Sequence, residues 1–351
     1  MCFALLRSRA RVLALAAALA AGPASASGPP VTEGPFVGTL PCADCEGIRT
    51  ELTLVRDSTG APSRFLLRQT YLGKPRREAV FQSTGPWQEV RTGAAAPAGS
   101  RVRVDPYQPN WRQSFLRLGP TTLELLDRQE GRIKSQANLK LELAPSAAPA
   151  EPTATRMLLA GTLRGAGPEG LQLQPCGGGG TQRVIDVSPE SMVTAVLTDL
   201  GLDRRALYVE VFGRIVDGTA QIDRLNRAGV EMRCPDAGAS VRWQAQGNEP
   251  FWALRAEADR TTFAQLGEQP IAHPAIDPTW RWRGGSRDRA RAHLFSQTES
   301  GRIEAVLEPR ICRDTMADAA FGYRAEVTVD NAAARRSFRG CAYLGAGTAP
   351  P

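Results

Sequence analysis

Pro41-Cys42-Ala43-Asp44-Cys45-Glu46-Gly47-Ile48, running on into Thr50-Glu51-Leu52-Thr53-Leu54-Val55-Arg56, is the stretch on which the fold turns. Two cysteines with two residues between them can close a small disulfide, grip a soft metal or exchange with another disulfide. The residues that follow discriminate among these. Thr50 to Arg56 alternates polar and apolar, which predicts a half-buried strand with Leu52 and Leu54 inward. A dithiol oxidoreductase instead opens a helix at this point, and the helix N-terminus lowers the pKa of the first thiol. A strand behind the pair favours structural or sensing cysteines in a β protein.

Working outward, the N-terminus sets the expected compartment. Arg7, Arg9 and Arg11 precede an apolar run from Val12 to Ala21, and Ala24-Ser25-Ala26 supplies a small-residue cleavage pattern. Residues 1–26 therefore read as a signal peptide cut near Ala26, giving a periplasmic or secreted protein. The apolar run is too short to span a bilayer, and no later segment is long enough, so no transmembrane segment is expected. No cysteine stands at the cleavage point and Cys2 lies ahead of the run, so no lipid anchor is expected either.

Of seven cysteines, removal of Cys2 leaves 42, 45, 176, 234, 312 and 341. An even number in an oxidising compartment suggests disulfides. They fall two by two into three segments, and the economical pairing is Cys42–Cys45, Cys176–Cys234 and Cys312–Cys341. The last would close a loop of about thirty residues between the final long strand and the loop before it, worth on the order of 3 kcal/mol. The formal charge of +7 falls by the three arginines of the signal peptide, and nearly all basic residues are arginine. No arginine-rich run is interleaved with aromatics, so a nucleic-acid partner is not expected.

Two compositional breaks divide the chain into three units. One is the Pro/Ala linker of residues 145–154; the other is Pro235-Asp236-Ala237-Gly238. The first unit, 34–144, carries short apolar runs at 65–67, 80–81, 101–104, 114–118, 123–125 and 139–141, the spacing of an antiparallel barrel or sandwich. The second, 155–235, has strand patterns at 157–163, 171–173, 183–187 and 207–215, with helical spacing of Met192, Val193, Val196, Leu197 and Leu200, and fits a small OB-like barrel. Gly177 to Gly180 has no following Lys-Ser or helix and reads as a loop rather than a phosphate cradle. The third, 240–345, predicts strands at 252–256, 280–282, 302–307 and 323–329. Its Trp243, Phe251, Trp252, Trp280 and Trp282 are assigned to core packing. The whole is mainly β.

Phe36-Val37-Gly38-Thr39-Leu40-Pro41-Cys42-Ala43-Asp44-Cys45-Glu46-Gly47-Ile48, with Gly85-Pro86-Trp87, Leu123 to Asp127 and Leu139 to Leu143, resembles the N-terminal domain of the NlpE/CutF copper-homeostasis and envelope-stress family. The resemblance implies a small lipocalin-like barrel over about 34–144. It also implies a role in copper, redox or envelope stress, with envelope-stress signalling or cell-envelope proteins as partners. The third unit resembles uncharacterised exported bacterial proteins sharing Gly247-Asn248-Glu249-Pro250-Phe251-Trp252, the Cys312-Arg313-Asp314-Thr315-Met316 segment and Gly340-Cys341.

No catalytic residue is assigned. His273, placed in a turn, and His293, in a strand-like stretch, have no nucleophile or carboxylate at a motif spacing, and no hydrolase or zinc motif occurs. Cys42 and Cys45 as thiolates would suit Cu(I), the one candidate cofactor; the methionines at 157, 192, 232 and 316 are scattered. The expected function is non-enzymatic: an exported envelope protein responding to copper or redox stress through Cys42 and Cys45. The alternatives are a thiol-reactive redox protein and an envelope lipid- or peptide-binding module.

Overall fold

Alternating inward apolar residues build three strand circuits that share edges. A computed structural model describes residues 31–75, 79–91, 99–144, 156–166, 170–235, 241–284, 287–331, 334–345, 348 and 350. The segments expected as signal peptide (1–26) and linker (145–154), and Asp236-Ala237-Gly238, lie outside the described residues.

In the first circuit, β1 (Val31–Leu40), β2 (Ile48–Arg56), β3 (Pro62–Tyr71) and β4 (Val80–Gly85) pair antiparallel in chain order. So do β5 (Trp87–Val90), β6 (Arg101–Val104), β7 (Gln113–Arg117), β8 (Thr122–Leu125) and β9 (Lys140–Leu143), and β9 returns to β1 through Phe36↔Leu143. Only Pro86 separates β4 from β5. Because proline has no N–H for a ladder, one strand breaks there: its first half pairs with β3 and its second with β6. The Trp87 indole N–H stitches this corner to the Val55 carbonyl at 2.9 Å. Phe36, Leu52, Leu54, Phe65, Trp87, Phe115, Leu123 and Leu141 fill the barrel and are essentially inaccessible. Burying each is worth roughly 2 kcal/mol over leaving it exposed.

The second circuit runs β10 (Met157–Ala166), β11 (Gly170–Pro175), β12 (Gln182–Asp186), β14 (Thr219–Gly229), β13 (Leu207–Val216) and back to β10, with β12 and β14 parallel. This is a closed five-stranded barrel of OB-like topology. Helix α1 (Met192–Asp199) enters after β12 and buries Val193, Val196 and Leu197 against it. The helix start is satisfied from upstream: Asp186 Oδ2 accepts from the Thr194 N–H at 2.7 Å, and Ser188 Oγ accepts from the Val193 N–H at 3.1 Å.

The third unit holds β15 (Trp243–Asn248), β16 (Phe251–Ala256), β17 (Arg260–Gln265), β18 (Ile271–Pro274), β19 (Thr279–Arg283), β20 (Arg291–Thr298), β21 (Gly301–Asp314), β22 (Ala319–Asp330) and β23 (Arg335–Leu344). They form one antiparallel sheet in the order 18-17-16-15-23-22-21-20-19. The sheet curls until His273 Nδ1 on β18 meets Ser296 Oγ on β20 at 2.9 Å. Trp243, Trp252, Trp280 and Trp282 lie in its core, whereas Phe251 is 49 % exposed at a hairpin end. His273 sits on a strand and is buried, not in the turn that the sequence suggested, because β17 pairs with its backbone. Cys312 is likewise on β21 rather than in a loop.

The ladders continue across all three units. β14 pairs with β22 at Arg227↔Phe321, Ala228↔Ala320 and Gly229↔Ala319. The approach is so close that a Cβ on Gly322 would stand 2.0 Å from the Leu225 carbonyl oxygen. On the other side, β4 pairs with β19 from Thr84↔Trp280 to Phe81↔Arg283. Buried Asp105, in the loop after β6, accepts from Thr279 Oγ1 at 2.7 Å and pairs with Arg281. Burial pushes the Asp105 carboxyl up, while Arg281 and Thr279 pull it back.

The buried Asn226 amide joins the second and third units. Its Nδ2 donates to Glu210 Oε2 at 2.8 Å and to the Leu344 carbonyl at 2.7 Å, and its Oδ1 accepts from the Leu344 N–H at 2.9 Å. Replacing Asn226 by Ala orphans a buried carboxylate oxygen and both polar groups of one backbone residue. The expected loss is about 3 kcal/mol, measured by urea denaturation of the full chain.

Candidate functional site

The Leu40↔Ile48 pair ends the β1–β2 ladder and leaves residues 41–47 as a seven-residue loop at one mouth of the first barrel. Gly47 anchors its far end. With φ of +149°, and with a Cβ position only 2.6 Å from Thr39 Cγ2, this site favours glycine. Its carbonyl accepts from the Leu72 N–H at 2.9 Å, which holds the loop to the β3–β4 connection. Cys42 and Cys45 are joined as a disulfide within the loop, and both are half-buried. Asp44 Oδ1 lies 3.5 Å from Cys42 Sγ, and one ligand atom from each of Cys42, Asp44 and Cys45 falls within 4.8 Å of the others.

Lys74, from the β3–β4 connection, reaches Asp44 Oδ2 at 3.7 Å. Both side chains are well exposed, so the pair adds little stability, but once the cystine is opened Lys74 would offset the carboxylate's repulsion of a thiolate. Nothing in the sequence advertised this neighbour, thirty residues away from Asp44. A second feature that the sequence hid closes the opposite end of the barrel. Arg56 pairs with Glu33 and, at 2.7 Å, with Glu89; Arg117 reaches Glu33 at 2.9 Å and Glu89 at 3.2 Å. Burial raises the Glu89 carboxyl, but hydrogen bonds from Arg56 and Ser100 and the charge of Arg117 carry it below the usual carboxylate range. These four charges come from four strands, so only the closed barrel brings them together.

The other cysteines are joined as Cys176–Cys234 and Cys312–Cys341, the latter linking β21 to β23. The two motifs of the third unit meet in space: Asn248 Nδ2 donates to Asp314 Oδ1 at 2.8 Å, and that oxygen also accepts from the Met316 N–H at 3.1 Å. A Cβ on Gly247 would stand 2.4 Å from the Trp252 indole nitrogen, so the hairpin closes directly against the ring. The motif residues thus hold one hairpin against the end of β21. The tetraglycine segment is an exposed turn, with the Gly179 carbonyl accepting from Gln174. The two histidines stay apart from the cysteine loop, on β18 and β20.

Comparison with known proteins now bears on the first barrel. Residues 36–136 match the NlpE N-terminal domain. The first barrel is similar to that domain. The chain is 37 % identical over 119 residues to Lipoprotein NlpE of Escherichia coli (strain K12), an alignment covering 34 % of this chain and 44 % of that protein. The chain therefore spans less than half of the curated relative it matches. The NlpE domain match ends at residue 136, and the OB-like barrel and the third unit lie beyond it. No solved structure matches this chain.

His293 supplies a pH test of the described structure. Burial, with the charges of Arg281 and Arg291, pushes its imidazole down to about 4 from its ordinary 6.5. The unfolded chain takes up this proton below about pH 6.5, while the folded chain refuses it until about pH 4. Stability linked to His293 is therefore complete above pH 6.5 and is lost as pH falls toward 4. His293→Gln should show a smaller drop in Tm between pH 7 and pH 5 than the parent, as followed by circular dichroism.

Proposed function

We propose that this chain is an exported bacterial envelope protein whose NlpE-type barrel, residues 34–144, responds to copper or redox stress through Cys42 and Cys45. Residues 155–235 and 240–345 serve as its OB-like and C-terminal β domains. The observation that carries this reading is the placement of the cysteine pair: an accessible loop on a packed barrel, with Asp44 and Lys74 beside it. Loops on rigid scaffolds carry function because they move without unfolding the core. As a cystine the pair offers no thiolate. Once reduced, Cys42 and Cys45 present two soft sulfur donors, a set that suits Cu(I). The role is sensing or sequestration rather than catalysis, and the partners are other cell-envelope proteins.

The cystine is expected to open before the distal ones. Cys42 and Cys45 are three positions apart, whereas Cys312 and Cys341 are separated by 29, and a crosslink over that span adds about 3–4 kcal/mol to folding stability. Opening the longer bridge must overcome that term; opening the short one leaves the barrel ladders intact. Alkylation mapping across a reductant series should label Cys42 and Cys45 first. The reduced protein should then take up one Cu(I) in competition with a chromophoric chelator, and Cys42→Ser should weaken that uptake at least tenfold. A pair as resistant as Cys312–Cys341, with no copper uptake after forced reduction, overturns the reading.

A further inference from the structure

A concavity lined by residues of β20, β21, β22 and β23 lies on the outer face of the third unit. It encloses about 940 Å³ over β21, β22 and β23. Five arginines, at 291, 310, 313, 324 and 339, line it against two carboxylates, Glu308 and Glu326. Three of the arginines are engaged: Arg291 with Glu308 at 2.6 Å, Arg339 with Glu326 at 3.4 Å, and Arg313 with Asp199 at 2.5 Å. Arg310 and Arg324 are exposed and have no carboxylate partner among the described residues. The groove thus holds two open guanidinium groups beside three engaged ones.

The backbone fixes this arrangement. The β21–β22 register slips between Pro309↔Tyr323 and Cys312↔Phe321, which makes a bulge of Arg310 and Ile311. Bulges re-aim side chains, and here both bulge residues, Arg310 and Ile311, line the groove. The Cys312–Cys341 bridge pins the end of the bulge to β23, and β14 presses on Gly322 behind it. Val306, Ile311 and Cys312 provide a partly apolar floor beneath the guanidinium rim.

We propose that this groove binds a phosphate-bearing anion, with Arg310 and Arg324 as its principal contacts. Guanidinium groups present planar, forked donors that match phosphate oxygens in pairs and retain charge at every physiological pH. The same chemistry serves a free polyphosphate or a phospholipid headgroup, and the test separates the two sources.

Full-length protein is titrated with inorganic tripolyphosphate by calorimetry, and in parallel floated with vesicles of phosphatidylglycerol or of phosphatidylcholine. The expected result is salt-dependent binding to tripolyphosphate, to phosphatidylglycerol vesicles or to both, with little retention on phosphatidylcholine. Binding to tripolyphosphate alone assigns a free anion; binding to anionic vesicles alone assigns a headgroup. Arg310→Glu/Arg324→Glu should weaken whichever binding is seen at least tenfold, and Arg310→Gln/Arg324→Gln should show the same loss if the reversed charges disturb folding. Arg64→Glu/Arg128→Glu, an equal charge change at exposed sites on the first barrel, should leave it within twofold. No binding to either probe, or equal losses in the two charge-reversed proteins, overturns the proposal.

Discussion

A strand that carries buried polar side chains among its apolar ones is the constraint on which this architecture depends. β14 closes the OB-like barrel by pairing with β12 and β13, and its last turn of ladder feeds into β22 of the third unit. Arg224 and Asn226, on this strand, are both buried, and the adjacent Glu210 is almost inaccessible. Low dielectric makes each such group costly unless it is bonded, and strong when it is. Glu210 is accordingly saturated: it accepts from Tyr208 at 2.6 Å, Asn226 at 2.8 Å and Arg227 at 2.6 Å. The Arg227 guanidinium lies 3.9 Å over the Tyr343 ring, and burial and Glu210 together push the Tyr208 hydroxyl up, keeping it neutral. This network couples the second and third units more specifically than apolar contact alone would.

The first barrel is attached differently. Its joint to the third unit is a plain antiparallel ladder between β4 and β19, finished by the buried Asp105 contacts. Gly85 is needed there, since a Cβ would sit 2.6 Å from Thr279 Oγ1. The barrel mouth bearing Cys42 and Cys45 stays outside this joint. The four-charge cluster of Glu33, Arg56, Glu89 and Arg117 closes the opposite end. One end of the barrel is thereby fixed by charge and the other is left to a short loop.

The arginine-rich composition takes on meaning in this setting. Arginine can satisfy several acceptors from one planar head while its stem covers apolar surface, which suits strands whose outer faces are crowded with neighbours. Arg56 lies 4.8 Å over the Trp87 ring while pairing with two glutamates, and Arg281 lies 4.3 Å over Trp111 while reaching Asp105. Several of the arginines that make up nearly all of the basic residues thus join strands remote in the chain.

The sequence by itself determined the β class, the NlpE-type barrel, the OB-like character of the second unit and the identity of the exposed cysteine loop. Each rests on local signals: period-two alternation in Thr50 to Arg56, helical spacing from Val193 to Leu197, and a motif with glycine where the backbone requires it. It missed β14, because Arg224, Asn226 and Arg227 break the apolar alternation that marks a strand, and their burial is tolerable only with partners from other elements. It also missed the turn-to-strand change at His273, whose pairing partner is supplied by β17. Tertiary structure alone decided which charges meet: Lys74 with Asp44, Asp105 with Arg281, and Arg310 beside Arg324. A hydrophobic pattern is written along one strand, whereas an ion pair or a groove needs side chains from strands that only the closed ladders bring together.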